Sequence, residues 1–141
     1  MNKPTLSNDF YYALVAFLLQ AKQQVVTAAA EFGLTSVQAL TLLNIKPNDQ
    51  RSMSEFCKLY ECDASNITGI VDGLEQKGLV SRQAHQKDRR VKIIYLENKG
   101  LALQKLLISR IAESSPHLFN GLSEAEVQKL AKLIQKIDKV S

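Results

Sequence analysis

Residues 63–96 read DASNITGIVDGLEQKGLVSRQAHQKDRRVKIIYL, and the fold is decided there. Asp63 has the side chain of a helix N-cap, and Ile67, Ile70, Val71 and Leu74 follow it at helical spacing on one apolar stripe that Lys77-Gly78 closes. The opposite face carries small polar groups: Ser65, Asn66, Thr68, Gly69 and Asp72. Residues 79–84 and 91–96 are then rich in β-formers, and the loop 85–90 between them is polar and basic. A helix with a polar N-terminal face is thus followed directly by a β-hairpin with a charged tip.

Upstream, Ser52 and Glu55 have the spacing of a capping box and open a short helix with Phe56, Leu59 and Tyr60 as its apolar positions, ending near Glu61. Thr35 and Gln38 repeat the pattern for an earlier helix, in which Val37, Leu40 and Leu43 continue until the Lys46-Pro47-Asn48-Asp49 turn. Two short helices joined by a tight turn, the second exposing small polar groups at its start, are the parts of a helix-turn-helix. Spacing alone leaves an ordinary helical hairpin open, and the hairpin that follows narrows the choice to a winged helix-turn-helix.

The charge falls in the same place. The chain of 141 residues carries a net +4, with a pI near 9.1. Arg82, Lys87, Arg89, Arg90 and Lys92 against the single acid Asp88 account for that whole excess. A basic excess gathered on one hairpin suits phosphate contact, with an arginine at the tip able to enter the minor groove while the helix reads the major one. A merely solvated loop is the bland alternative.

Outside this unit, residues 9–32 form a long expected helix, proline-free and stopped by Gly33. Its first half is apolar nearly all round, with Phe10, Leu14, Phe17 and Leu18 among its residues. Leu103, Leu106, Leu107 and Ile111 mark a fifth helix running to about Ser115. Ser123 with Glu126 caps a sixth, carrying Val127, Leu130, Ile134 and Ile137. These terminal helices either complete a monomer core or dimerise. The all-round apolar first helix favours a homodimer, since a second copy is the natural cover in so short a chain. Tyr11 and Tyr12 could line an effector pocket, or pack the dimer base.

The expected architecture is mainly α with a small β-hairpin wing, in a single domain. The helix-turn-helix and wing occupy about 35–96, and dimerisation helices about 9–32 and 99–140. No glycine-rich phosphate loop, nucleophile elbow or base–nucleophile pair is recognisable, so no enzyme and no cofactor are expected. His85 and His117 are far apart and lack companion ligands, which argues against a metal. Cys57 and Cys62 read as inert packed residues of a reducing cytoplasm rather than a disulfide or zinc pair. The apolar run 10–19 could pose as a signal peptide, but it is too short for a bilayer, starts beside Asp9 and is followed by polar residues 20–24, so no membrane partner is expected.

With these residues in view, the chain resembles the MarR family of transcriptional regulators over nearly its whole length. Gly33-Leu34-Thr35 with Gln38 and Leu42 is similar to that family's entry to the second helix, residues 63–80 to its recognition helix, Asp88-Arg89-Arg90 to its aspartate-x-arginine wing, and Leu96 with Gly100 to its lead into the fifth helix. The resemblance implies a dimer knitted from N- and C-terminal helices, acting as a repressor on a near-palindromic duplex operator. It also implies that Ser65, Asn66 and Thr68 face bases and phosphates and that Arg90 reaches the minor groove. Asp88 is expected to hold the wing by pairing with a neighbouring arginine. Many members release DNA when a small aromatic or phenolic effector lodges between dimer base and DNA-binding lobe. Gly69 and Gly73 depart from the family's common arginines, Glu97 from its threonine cap and Glu61 from a turn glycine. Neither cysteine occupies the first-helix position of the family's peroxide sensors. A winged module that has lost DNA binding is the competing reading, favoured slightly by the two glycines and opposed by the wing charge.

Overall fold

The computed structural model describes residues 3–60, 64–113 and 118–140, with 64–65 and 139–140 described through the backbone alone. Glu61, Cys62, Asp63, Ser115 and His117, and the Ser65 side chain, lie outside the described residues, as do the expectations placed on them. The elements run α1 (Asn8–Glu31), α2 (Ser36–Leu43), β1 (Arg51–Ser52), α3 (Met53–Tyr60), α4 (Ala64–Gln76), β2 (Val80–Ala84), β3 (Lys92–Leu96), α5 (Asn98–Ala112) and α6 (Glu124–Val140). The fold is mainly α with a small antiparallel sheet, as the sequence leads one to expect.

The chain forms two compact units, residues 22–111 and residues 1–21 with 112–141, so the division falls inside α1 rather than at its end. In the first unit the apolar stripes meet. Ile67, Val71 and Leu74 of α4 pack fully buried with Leu42, Ile45, Phe56, Leu79, Ile94 and Leu107. Each such side chain contributes roughly 1.5–3 kcal/mol by leaving water. Local chemistry sets the helix ends. Thr35 Oγ1 accepts from Gln38 N at 3.1 Å while Gln38 Oε1 accepts from Thr35 N at 3.1 Å, a complete capping box. After α1 and α4, Gly33 and Gly78 take φ +69° and +73°, and Leu34 N and Leu79 N reach back to the carbonyls of Ala29 and Leu74. These left-handed closures need glycine.

The expected hairpin is part of a larger sheet. Its strand order is β1-β3-β2, with Arg51 opposite Ile94 and Ser52 opposite Ile93 on one edge and Val80 opposite Leu96 to Ala84 opposite Lys92 on the other. The sequence gives β1 away poorly because it is only two residues long, and Ser52 reads as a cap. It is both: its backbone pairs with β3, and its Oγ accepts from Glu55 N at 3.2 Å at the start of α3.

Two buried polar groups went unforeseen. Gln104 of α5 donates from Nε2 to the carbonyls of Leu42 and Ile45 at 2.6 and 2.5 Å, tying α5 to the end of α2. Thr41 shares a 2.8 Å hydrogen bond with the Tyr60 hydroxyl, tying α2 to α3. Gly100 admits close approach: a Cβ there would collide with the carbonyl of Leu79.

In the second unit, Ser123 and Glu126 cap α6 reciprocally at 3.0 and 3.2 Å, and Phe17 meets Phe119 with ring centroids 5.8 Å apart. Leu14, Phe17 and Leu18 of α1 and Ile134 and Ile137 of α6 remain exposed, Ile137 to 70%. By length and apolarity alone the whole of α1 could cross a membrane, with mean hydropathy 1.2 in its most apolar window, whereas the run 10–19 could not. Its last third is otherwise engaged, since Ala28 and Ala29 are buried in the core of the unit 22–111.

Candidate nucleic-acid interface

The polar side of α4 and the wing meet on one side of the unit 22–111. A cleft of about 820 Å³ lies between the start of α3, α4 and the sheet, and Thr68, Arg82, Arg90 and Lys92 all line it. Thus four of the residues singled out by sequence come to one groove from α4, β2, β3 and the wing loop. Asn66 and Gly69 are exposed on α4, and a Cβ at Gly69 would meet nothing within 4 Å. Lys87 and Arg89 are exposed at the wing tip without lining the cleft.

The wing tip is held by three side-chain acceptors' worth of local bonds. Asp88 Oδ1 accepts from the backbone N and the Nε of Arg90, each at 3.1 Å, and Oδ2 accepts from Nη2 at 3.3 Å. The Arg90 guanidinium beside Asp88 holds its carboxyl below the usual carboxylate range. Arg90 itself stays 92% exposed, so its pairing with Asp88 is a loose surface contact from which it can swing to another anion. His85, unassigned in the sequence, is the other organiser: its Nδ1 accepts from the backbone N of Lys87 at 3.1 Å and of Asp88 at 3.4 Å.

Arg82 stands apart from the other wing cations. Its Nη2 lies 2.5 Å from Asp72 Oδ1 and 3.0 Å from Glu75 Oε1, and its backbone N donates to Glu75 Oε2 at 3.1 Å. The hydrogen bond from Arg82 lowers the pKa of Glu75, and the same bond raises that of Arg82. The count of five available wing cations therefore needs revising, because Arg82 is already committed to two carboxylates of α4.

Gly73 also finds a structural account. A Cβ there would land on Gln38 Nε2, the amide whose oxygen closes the α2 capping box. A larger residue at position 73 would therefore have to displace the end of the Gln38 side chain. Cys57 is half-buried at the cleft wall, packed against the core. Tyr11 and Tyr12 are exposed on α1, and neither lines this cleft. Among the described residues no group of three metal-ligating side chains occurs.

Helix-turn-helix, three-stranded sheet and basic wing tip together define a winged helix-turn-helix protein. The MarR family model matches residues 34–92, the stretch from the entry of α2 to the start of β3. Among curated proteins, the HTH-type transcriptional repressor MdtR of Bacillus subtilis is 28% identical over 133 residues, 94% of this chain and 85% of that protein. Among solved structures, a MarR-family transcriptional regulator from Rhodococcus sp. RHA1 superposes with a TM-score of 0.75 at 25% identity, over 96% of each chain. A mutant of S. aureus MepR bound to an oligodeoxyribonucleotide shares the fold, with a TM-score of 0.63 at 21% identity over 97% of this chain and all of that one. The chain is thus similar to MarR-family transcriptional regulators, in sequence across the winged unit and in fold along nearly its whole length.

Proposed function

We propose that the protein is a repressor that binds a near-palindromic duplex operator as a homodimer, in the cytoplasm. The start of α4 enters the major groove and the wing the minor groove. The observation that carries this reading is the convergence of Thr68 from α4 with Arg90 and Lys92 from the wing on one groove, flanked by the exposed Lys87 and Arg89. Ser65, Asn66 and Gly69 complete the reading surface on α4. Asp88 orders the wing through Arg90. The MepR structure with its oligodeoxyribonucleotide and the repressor name of MdtR support the same reading.

Dimerisation is supported by the exposed apolar side chains Phe10, Leu14, Phe17 and Leu18 of α1 with Ile134 and Ile137 of α6; Leu130 continues that helical face. So much apolar surface calls for a cover, and a second copy supplies two-fold symmetry to match a palindrome. Release by a small aromatic or phenolic effector completes the proposal, on the strength of the family resemblance. Tyr11 and Tyr12 are the residues assigned to its pocket.

The test is selection of bound sites from a random duplex pool, followed by fluorescence anisotropy on the selected duplex across a salt series. A two-fold symmetric site with half-sites about 10 bp apart, and affinity falling steeply with salt, is the expected outcome. Binding to no duplex at any salt would leave the protein-interaction module instead. Addition of a phenolic carboxylate such as salicylate should release the duplex, and unchanged affinity would remove that class of effector.

A further inference from the structure

Arg82 joins the reading helix to the wing through ion pairs with both Asp72 and Glu75. Glu75 spends one carboxylate oxygen on the Arg82 guanidinium and the other on the Arg82 backbone N–H. It therefore grips strand and side chain together. Asp72 holds the same Nη2 from one turn earlier on α4. Thr68, Asp72 and Glu75 succeed one another at three- and four-residue spacing, so the carboxylates share a helical stripe with a residue of the proposed reading surface.

The electrostatics disfavour a phosphate role for this arginine. One guanidinium between two carboxylates leaves the cluster at net −1, and Arg82 could turn to a phosphate only by leaving Asp72 and Glu75 unpaired beside the same polyanion. Its side chain is 26% exposed, against 92% for Arg90. Geometry also makes the cluster a lever. The wing tip lies some three to five residues beyond Arg82, or ~10–17 Å at ~3.3 Å per residue, so a tilt of ~10° at β2 moves the tip by ~2–3 Å. That displacement is enough to lose a groove contact.

We propose that Arg82 is a positioning residue that never touches DNA: with Asp72 and Glu75 it fixes the angle between the reading helix and the wing, and thereby sets discrimination between operator and other DNA. The proposal rests on the DNA-binding reading above.

The test uses the full chain and two duplexes of equal length, the selected site and an unrelated sequence, each measured by anisotropy over a salt series well below the melting temperature. Arg82→Gln should weaken binding to the selected duplex about tenfold, leave the unrelated duplex within about twofold, and keep the log–log salt slope unchanged, since no phosphate contact is lost. Glu75→Gln and Asp72→Asn remove negative charge yet should also weaken the selected duplex, which makes the sign of their effect diagnostic. They serve equally if Arg82→Gln fails to fold. A direct phosphate contact predicts the reverse: the Arg82→Gln slope falls by about 0.9, and Glu75→Gln binds both duplexes more tightly. That result overturns the proposal. So does a purely architectural outcome, in which the variants melt lower but the ratio of selected to unrelated affinity stays at the wild-type value. Failure of the wild-type chain to bind any duplex would overturn the DNA-binding reading itself and this inference with it. Wild-type binding with variant ratios unchanged overturns this inference alone.

Discussion

The two compact units treat their apolar residues in opposite ways. Among the described residues, all of the buried hydrophobic ones, from Ala28 to Leu107, fall within residues 22–111. The other unit offers Phe10, Tyr12, Leu14, Leu18, Ile134 and Ile137 to solvent instead. Charged groups follow the same division. In the unit 22–111, Glu75 and Arg82 meet across helix and strand; in the other, Glu126 is held low only by its own cap at Ser123. The lesson is that the winged unit closes its core within one chain, while the terminal helices leave apolar side chains uncovered, the surface that the proposed dimer would bury.

Substitutions can break that contrast. The largest effect is expected from Phe56→Ala, which empties a fully buried site in the winged unit and should cost about 3–5 kcal/mol in denaturant unfolding. A loss below about 1 kcal/mol would mean that this core is less self-sufficient than its burial implies. Leu18→Glu, at a position 61% exposed, should leave far-UV circular dichroism intact and weaken self-association at least a hundredfold, about 2.7 kcal/mol, by sedimentation. An intact dimer in that variant would move the interface elsewhere.

A smaller pair of effects sharpens the account of α4. Gly69→Ala, with open space around its Cβ, should stabilise the protein by about 1 kcal/mol in thermal unfolding. Gly73→Ala should gain less or nothing, because its methyl group displaces the Gln38 amide from the α2 cap. Equal gains at both positions would show that the cap yields without cost.

The smallest effect concerns pH. Glu75 and Asp88 have carboxyl pKa values depressed by their arginine partners, so their contribution is complete above the ordinary carboxylate range near 4 and lost as pH falls through the depressed values. Carbon-13 titration should place both midpoints below that range, and wing structure should not change between pH 6 and 8 on their account. A midpoint at or above the ordinary value would show that the ion pairs are absent in solution.

Much of the fold was legible because its signals are local. The Thr35–Gln38 and Ser123–Glu126 boxes, the glycine stops and the stripe of Ile67, Val71 and Leu74 each announce themselves within a few residues, and all appear in the structure. What escaped was set by contacts distant in sequence. Gln104 reaches carbonyls 62 and 59 residues away, β1 exists only through β3, and nothing near Gly73 in the sequence points to Gln38. Within the candidate site, sequence located the basic wing but could not separate the exposed Arg90 from Arg82, whose partners lie ten and seven residues upstream on another element.

The double duty of Ser52 bears on how such proteins can be recombined. Because one residue both pairs with β3 and caps α3, a hairpin transplanted from a relative would arrive without its third strand unless residues 51–52 travelled with it. The interchangeable cassette in this protein is therefore discontinuous, two residues before α3 together with the stretch from β2 to β3, and a chimera cut at the hairpin alone would sever a seam rather than exchange a module.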